Sequence, residues 1–141
     1  MLTLQVLDGE FTIHRLSPDR AIPPQVLGSD FYSISKTSDE LSIVCRSEIE
    51  IGAEKSEPGW ACFKALGPLD FSLTGILAGI AGALAEAGIS LFAVSTYDTD
   101  YILVKAGELD IAAQTLAAAG YRIKDFTKDF TAKTFSNPEG H

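Results

Sequence analysis

The chain reads as an α+β protein, a ferredoxin-like sandwich in which an antiparallel sheet carries helices on one face. Three observations predict it. From Trp60 to Ile123 the elements run strand, helix, strand, strand, helix, strand, which is the split βαβ order. Apolar residues alternate in the predicted strands and follow helical spacing in the predicted helices. The stretch from Leu2 to about Ile49 shows short strands and one helical turn, so it reads as a reduced copy of the same unit that lacks its second helix. The two halves share no residue-level repeat.

In the first half, Leu4 and Val6 alternate with polar neighbours, Asp8-Gly9 gives a turn, and Phe11 and Ile13 alternate again. Asp-Gly between alternating runs predicts a hairpin. Pro23-Pro24 opens a short helical turn through Val26 and Leu27 that ends at Gly28. A second hairpin pairs Phe31–Lys36 with Leu41–Arg46, and Leu41, Ile43 and Cys45 share one face. Glu48 to Gly59, rich in Glu with Gly52, Pro58 and Gly59, reads as a linker.

In the second half, Trp60 to Leu66 is a buried strand and 67–72 a loop. Leu73, Ile76, Leu77, Ile80, Leu84 and Ala87 mark a helix capped by Ser72 and closed by Gly88. Strands Leu91–Thr96 and Tyr101–Lys105 follow, joined by Tyr97-Asp98-Thr99-Asp100. A second helix, Glu108–Ala119, turns Leu109, Ala112, Ala113 and Leu116 inward, and Tyr121-Arg122-Ile123 forms a last strand. The expected organisation is therefore a reduced half over 1–58, a complete unit over 59–125 and a polar tail over 126–141.

Composition narrows the function. Hydrophobic residues are 46% and charged residues 21% of the 141, enough for a packed core. The net charge of −8 and the absence of a Lys/Arg cluster in the sequence argue against nucleic acid and anionic membranes as partners. The uncharged run Phe71–Ala85 is shorter than the roughly 18 residues a membrane span needs, and the N-terminus lacks a secretory pattern. A cytoplasmic location is the default. Cys45 and Cys62 read as buried thiols. His14 reads as a surface strand residue, and with His141 it is too isolated for a metal site. No nucleophile elbow, phosphate loop or dinucleotide fingerprint occurs, so neither a catalytic centre nor a cofactor is expected.

The first helix departs from the ordinary pattern. Away from its aliphatic stripe lie Gly75, Ala78, Gly79, Ala81, Gly82 and Ala85, with Glu86 its sole charge. Each internal glycine costs about 1 kcal/mol relative to alanine. Close packing by another helix, from the first half or from a second chain, would compensate, which implies a homodimer or a tight internal pairing; the alternative is an ordinary Ala-rich helix that simply tolerates glycine.

Two segments set polar groups among apolar ones. Leu69, Asp70, Phe71, Ser72, Leu73, Thr74 and Gly75 join a strand to a helix, whose free N–H groups suit a carboxylate. Asp70 and Ser72 read equally well as simple helix caps. Ser95, Thr96, Tyr97, Asp98 and Asp100 form a polar hairpin able to hold an ammonium group, or an ordinary turn.

At these segments the sequence resembles the ACT-domain family. The resemblance lies in Phe71-Ser72-Leu73-Thr74-Gly75-Ile76-Leu77, Ala87-Gly88-Ile89-Ser90-Leu91-Phe92 and Ser95 through Val104. More narrowly, it is similar to small bacterial tandem-ACT proteins related to the CASTOR arginine sensors. The resemblance implies tandem βαββαβ modules that bind amino acids or related effectors, commonly between paired domains. It places the ligand at Leu69, Asp70, Phe71, Ser72, Leu73, Thr74 and Gly75 and at Ser95, Thr96, Tyr97, Asp98 and Asp100. The CASTOR sensors have four repeats where this chain has two, one of them reduced, so their partner proteins do not carry over. Asp98 and Asp100 have two readings, as partners for a guanidinium or as turn residues. The expected function is an amino-acid-binding regulatory module; the alternative is a homo-oligomerisation or protein-interaction module that binds nothing small.

Overall fold

The computed structural model describes residues 2–66 and 75–125. Its strands are β1 (Thr3–Val6), β2 (Phe11–Leu16), β3 (Tyr32–Lys36), β4 (Leu41–Arg46), β5 (Lys55–Ala65), β6 (Phe92–Ser95), β7 (Asp100–Lys105) and β8 (Arg122–Lys124). Two α-helices, α1 (Ile76–Glu86) and α2 (Leu109–Ala118), join them, with 3-10 turns at Pro24–Gly28 and Ala106–Glu108. The chain divides into two compact units, Gly9–Trp60 and the residues on either side of it. β5 contributes to both, because the division falls within it.

In the Gly9–Trp60 unit the strand order is β3-β4-β2-β5, and every neighbouring pair is antiparallel. This is the order a βαββαβ chain produces. The Pro24–Gly28 turn stands where the first helix would be, and residues 47–54 replace the second with turns and irregular chain. Leu16, Val26, Leu41, Ile43, Cys45 and Ile51 form the core, so the shared face of Leu41, Ile43 and Cys45 is as the alternation predicts. On the other face the Phe11 ring meets Phe31 edge-on at 5.3 Å, and the Arg46 guanidinium lies 4.7 Å above it. Arg46 Nε donates to Asp30 Oδ1 at 3.1 Å, which holds the Asp30 carboxyl below its usual pKa.

Three expectations for this region are corrected. Asp8-Gly9 is not a hairpin turn: β1 and β2 both pair antiparallel with β5, and not with each other. The expected linker is half strand, because β5 begins at Lys55 and its first residues pair with β2. Polar composition misled there, since a strand at a sheet edge tolerates Glu, Pro and Gly. His14 is not a surface residue but only 6% exposed. Register puts it opposite Ile43 and Ser56, on the core face with Leu16. Its Nδ1 lies 2.8 Å from Ser56 Oγ, and its Nε2 is buried without a partner among the described residues.

The second unit has strand order β6-β7-β5-β1-β8. Without β1 this would be the expected βαββαβ order. β1 is wedged in, antiparallel to β5 (Leu4 opposite Ala65) and parallel to β8 (Leu4 opposite Ile123). The N-terminal strand, expected in the first half, therefore completes the sheet of the second. Alternation marks a half-buried strand but does not say which sheet it joins. Leu4 and Val6 enter one core with Phe63, Ile80, Leu84, Ile102, Val104, Leu116 and Ile123. Both helices end in the same motif. Gly88 (φ 75°) follows α1, with Gly88 N–H donating to Ala85 O and Ile89 N–H to Leu84 O. Gly120 (φ 106°) follows α2, with Gly120 N–H donating to Ala117 O and Tyr121 N–H to Leu116 O.

Burial pushes the His14 pKa below its ordinary 6.5. The unfolded chain then takes up the proton first as pH falls, so stability present above the unfolded value of 6.5 is lost below it and levels off beneath the folded value. Urea unfolding from neutral to mildly acidic pH should show this decline in the native chain and lose it in His14→Gln. Equal slopes in the two proteins would contradict the assignment.

Candidate functional site

Chain direction brings three features of the second unit to one end. β5 and β6 both point to it, α1 starts from it, and the β6–β7 turn closes it. A hydrogen bond fixes this arrangement: Thr99, 6% exposed, donates its Oγ1 proton to the carbonyl of Ala65 at the end of β5. The strand-to-helix segment departs from that same strand end. In the sequence Thr99 is marked only as a turn residue. Its signal was only an alternation continued one step past the apolar strand.

The hairpin itself is closely determined. Ser95 stands opposite Asp100, and its Oγ donates to Asp100 Oδ1 at 2.6 Å. Thr96 N–H donates to Thr99 O at 2.8 Å, Thr96 Oγ1 donates to the same carbonyl at 3.0 Å, and Thr99 N–H returns a bond to Thr96 Oγ1 at 3.3 Å. These bonds leave Tyr97 and Asp98 at the tip, Tyr97 81% exposed and Asp98 exposed as well. Asp100 is thus engaged by Ser95, whereas the Asp98 carboxylate is offered outward.

At the same end, Gly75 precedes α1 in the left-handed region at φ 80°, a conformation that favours glycine. The first N–H groups of α1 have no partner within the helix, as at every helix start. An added Cβ at Gly75 would meet nothing within 4 Å, so the approach to the backbone is open among the described residues. Leu69, Asp70, Phe71, Ser72, Leu73 and Thr74 lie outside the described residues. The helix expected from Leu73 with Ser72 as its cap instead begins at Ile76 with Gly75 as its N-cap, because the left-handed backbone of Gly75 cannot lie inside a right-handed helix. Among the described residues no three His, Cys, Asp or Glu side chains stand together as metal ligands. No described helix is long and apolar enough to cross a membrane.

The family model of the ACT domain matches residues 55–118, and a second model, described only as an N-terminal domain, matches residues 9–51. The Agrobacterium tumefaciens protein Atu0741 superposes with a TM-score of 0.82 at 40% identity, covering 91% of this chain and 96% of that one. The chain belongs to the family of that protein. More distant likenesses show the fold alone. The regulatory subunit of aspartate kinase from Thermus thermophilus gives a TM-score of 0.60 at 14% identity, covering 83% of this chain and 97% of that one. Aspartate kinase of Clostridium acetobutylicum gives 0.60 at 15% identity over 79% of this chain and 33% of the larger enzyme. No curated protein matches the chain.

Replacing Thr99 by Val keeps its shape and removes the donor to Ala65. A buried carbonyl left without its partner costs about 1–3 kcal/mol. Chemical denaturation of Thr99→Val should show a loss in that range; an unchanged midpoint would mean the bond does not hold the hairpin to β5.

Proposed function

We propose that this protein is a regulatory module that binds a small effector, an amino acid or a close relative, at the β6–β7 end of its second unit. The observation that carries the reading is the convergence of the α1 start with a polar hairpin pinned to β5 through Thr99 and Ala65. In this reading residues 69–75 and the α1 N–H groups receive the effector carboxylate, aided by the helix dipole. Asp98, with Ser95, Thr96, Tyr97 and Asp100 around it, supplies the polar wall for the ammonium group. The ACT-domain match over this unit and the likeness to the regulatory subunit of aspartate kinase from Thermus thermophilus support the assignment.

The module acts in the cytoplasm, without a catalytic centre or cofactor of its own, and the Gly9–Trp60 unit is a reduced copy of the same βαββαβ plan in a tandem arrangement. It signals by shifting an equilibrium between two packings. The effector contributes only its differential affinity for the two, typically about 1–3 kcal/mol.

Thermal unfolding of the full chain against each proteinogenic amino acid tests this directly. An effector at a hundred times its Kd adds about 2.7 kcal/mol to the native state and raises the melting temperature. Asp98→Ala should abolish the rise for that amino acid while leaving the unliganded melt unchanged, since its side chain is exposed at the turn. A flat panel would refute the effector reading.

A second reading, assembly as a homodimer, is favoured by one observation. Gly75, Ala78, Gly79, Gly82 and Ala85 form an exposed stripe on α1. An added Cβ at Gly82 meets nothing within 4 Å, whereas one at Gly79 would fall 2.8 Å from Tyr121 Oη. If the stripe is free in solution, Gly82→Leu should stabilise the chain by about 0.5–1 kcal/mol through helix propensity alone. If a second copy covers it, light scattering should show the dimer weakened instead.

A further inference from the structure

In the Gly9–Trp60 unit the strand order dictates the path of residues 47–54. β4 and β5 both run antiparallel to β2 and lie on either side of it. β4 ends at Arg46, opposite Phe11, and β5 begins at Lys55, opposite Arg15. The connection therefore crosses over β2 from one end of that strand to the other. It crosses on the core face, because Ile51 is buried with Leu16, Ile43 and Cys45, and Ile49 and Ala53 pack against the same core. Glu48, Glu50 and Glu54 alternate with these apolar residues and are exposed.

His14 sits mid-way along β2 on that face, in phase with Leu16, so the crossing segment passes over it. Its Nδ1 shares a hydrogen bond with Ser56 Oγ, and its Nε2 is buried without a partner among the described residues. Whichever nitrogen carries the proton of the neutral ring, Nε2 is left unsatisfied. A second proton makes both ring nitrogens donors. Ser56 Oγ accepts from Nδ1, and the Nε2 N–H then has no acceptor, which is costly for a buried charged group.

Among the described residues, no anion on the packed elements offsets an imidazolium there. On β4 the ionisable group of this face is Cys45, whose thiol is pushed up by burial and by the Glu48 charge and so stays neutral. β5 contributes the neutral Ser56, while Lys55 and Glu57 stand out of phase with it. β3 brings Tyr32 and Lys36 to the face, both exposed, and the Pro24–Gly28 turn carries no ionisable side chain. Of the three exposed carboxylates in the crossing segment, Glu54 lies 3.4 Å from Arg20 Nη1. Desolvation by burial is accordingly what lowers the His14 pKa.

We propose that residues 47–54 form an acid-released strap, which lifts when His14 is protonated and uncovers the core of this unit while the second unit stays folded. The strap is the element that yields most easily. It contains no helix or strand. Gln25 Nε2 donates to Glu50 O at 2.8 Å, Arg20 Nη1 donates to Gly52 O at 3.3 Å, and Thr12 Oγ1 meets Ser47 Oγ at 2.8 Å. The first two bonds are exposed, where water replaces them readily. Moving β2 instead would break its ladders with both β4 and β5. With the strap lifted, water reaches Nε2 and the ring returns to its ordinary pKa. The open form then binds the proton more tightly than the closed one. Falling pH therefore favours opening below 6.5, and the effect levels off beneath the lowered value of the closed form. The strap is independent of the effector end, so it stands whether or not an amino acid binds there.

Cys45 and Cys62 are both fully buried, one in each unit, and report opening separately. Thiol labelling of the full chain with dithiodipyridine, from neutral to mildly acidic pH, tests the proposal. The rate at each cysteine is read by mass spectrometry and divided by that of the urea-unfolded chain at the same pH. Cys45 labelling should accelerate below pH 6.5, by up to about tenfold per pH unit, while Cys62 labelling stays level. His14→Gln should abolish the acceleration. Ser56→Asp, at an exposed position, sets a carboxylate against Nδ1 and should blunt it by favouring the imidazolium in the closed form. If His14→Gln melts early, Ser56→Asp decides. A Cys45 rate indifferent to pH, an equal rise at Cys62, or an unaltered rise in the deciding variant would overturn the proposal.

Discussion

The second unit depends on one strand being in an unexpected place. β1 lies between β5 and β8, antiparallel to one and parallel to the other, and its Leu4 and Val6 reach the core under both helices. Without it the ladder groups of β5 and β8 would lose their partners, and unpaired buried backbone groups are costly. The Gly9–Trp60 unit is thereby held in the sequence between two neighbouring strands, β1 and β5, of the other unit's sheet. Neither the first strand nor β5 belongs to a separable piece of chain.

That constraint reaches the candidate site through β5. β1 fixes one side of β5, and the Thr99 hydroxyl fixes the end of β5 to the β6–β7 hairpin. The hairpin tip, the strand end and the start of α1 then share one end of the unit by topology. Loops that carry binding groups work when a rigid scaffold holds their ends. Here the scaffold supplies the strand end at Ala65 and the left-handed Gly75 on the two sides of the strand-to-helix segment.

Much of the fold was legible because its signals are local. α1 and α2 follow from apolar spacing, and their ends from Gly88 and Gly120, whose positive φ angles and paired return bonds match the glycine stop. What failed was non-local. Leu4 and Val6 announce a strand, but nothing local says that it pairs with β8 some hundred positions later. His14 looks like a polar residue in an alternating strand until register places it opposite Ile43. For the site, the hairpin residues were legible as a polar run, but the roles within it were not. Asp100 is engaged with Ser95, Asp98 is offered outward, and Thr99, chemically the plainest of them, ties the hairpin down.

The proposed effector site lies at the β6–β7 end of the second unit. Amide-resolved NMR titration of the isotope-labelled chain tests it most directly, using whichever amino acid stabilises the fold. Binding there should give saturable shifts concentrated at Gly75, the first turn of α1 and Thr96 to Asp100, with the Gly9–Trp60 unit little changed. Saturable shifts confined to the Gly9–Trp60 unit, or none at any amino acid concentration, would contradict it.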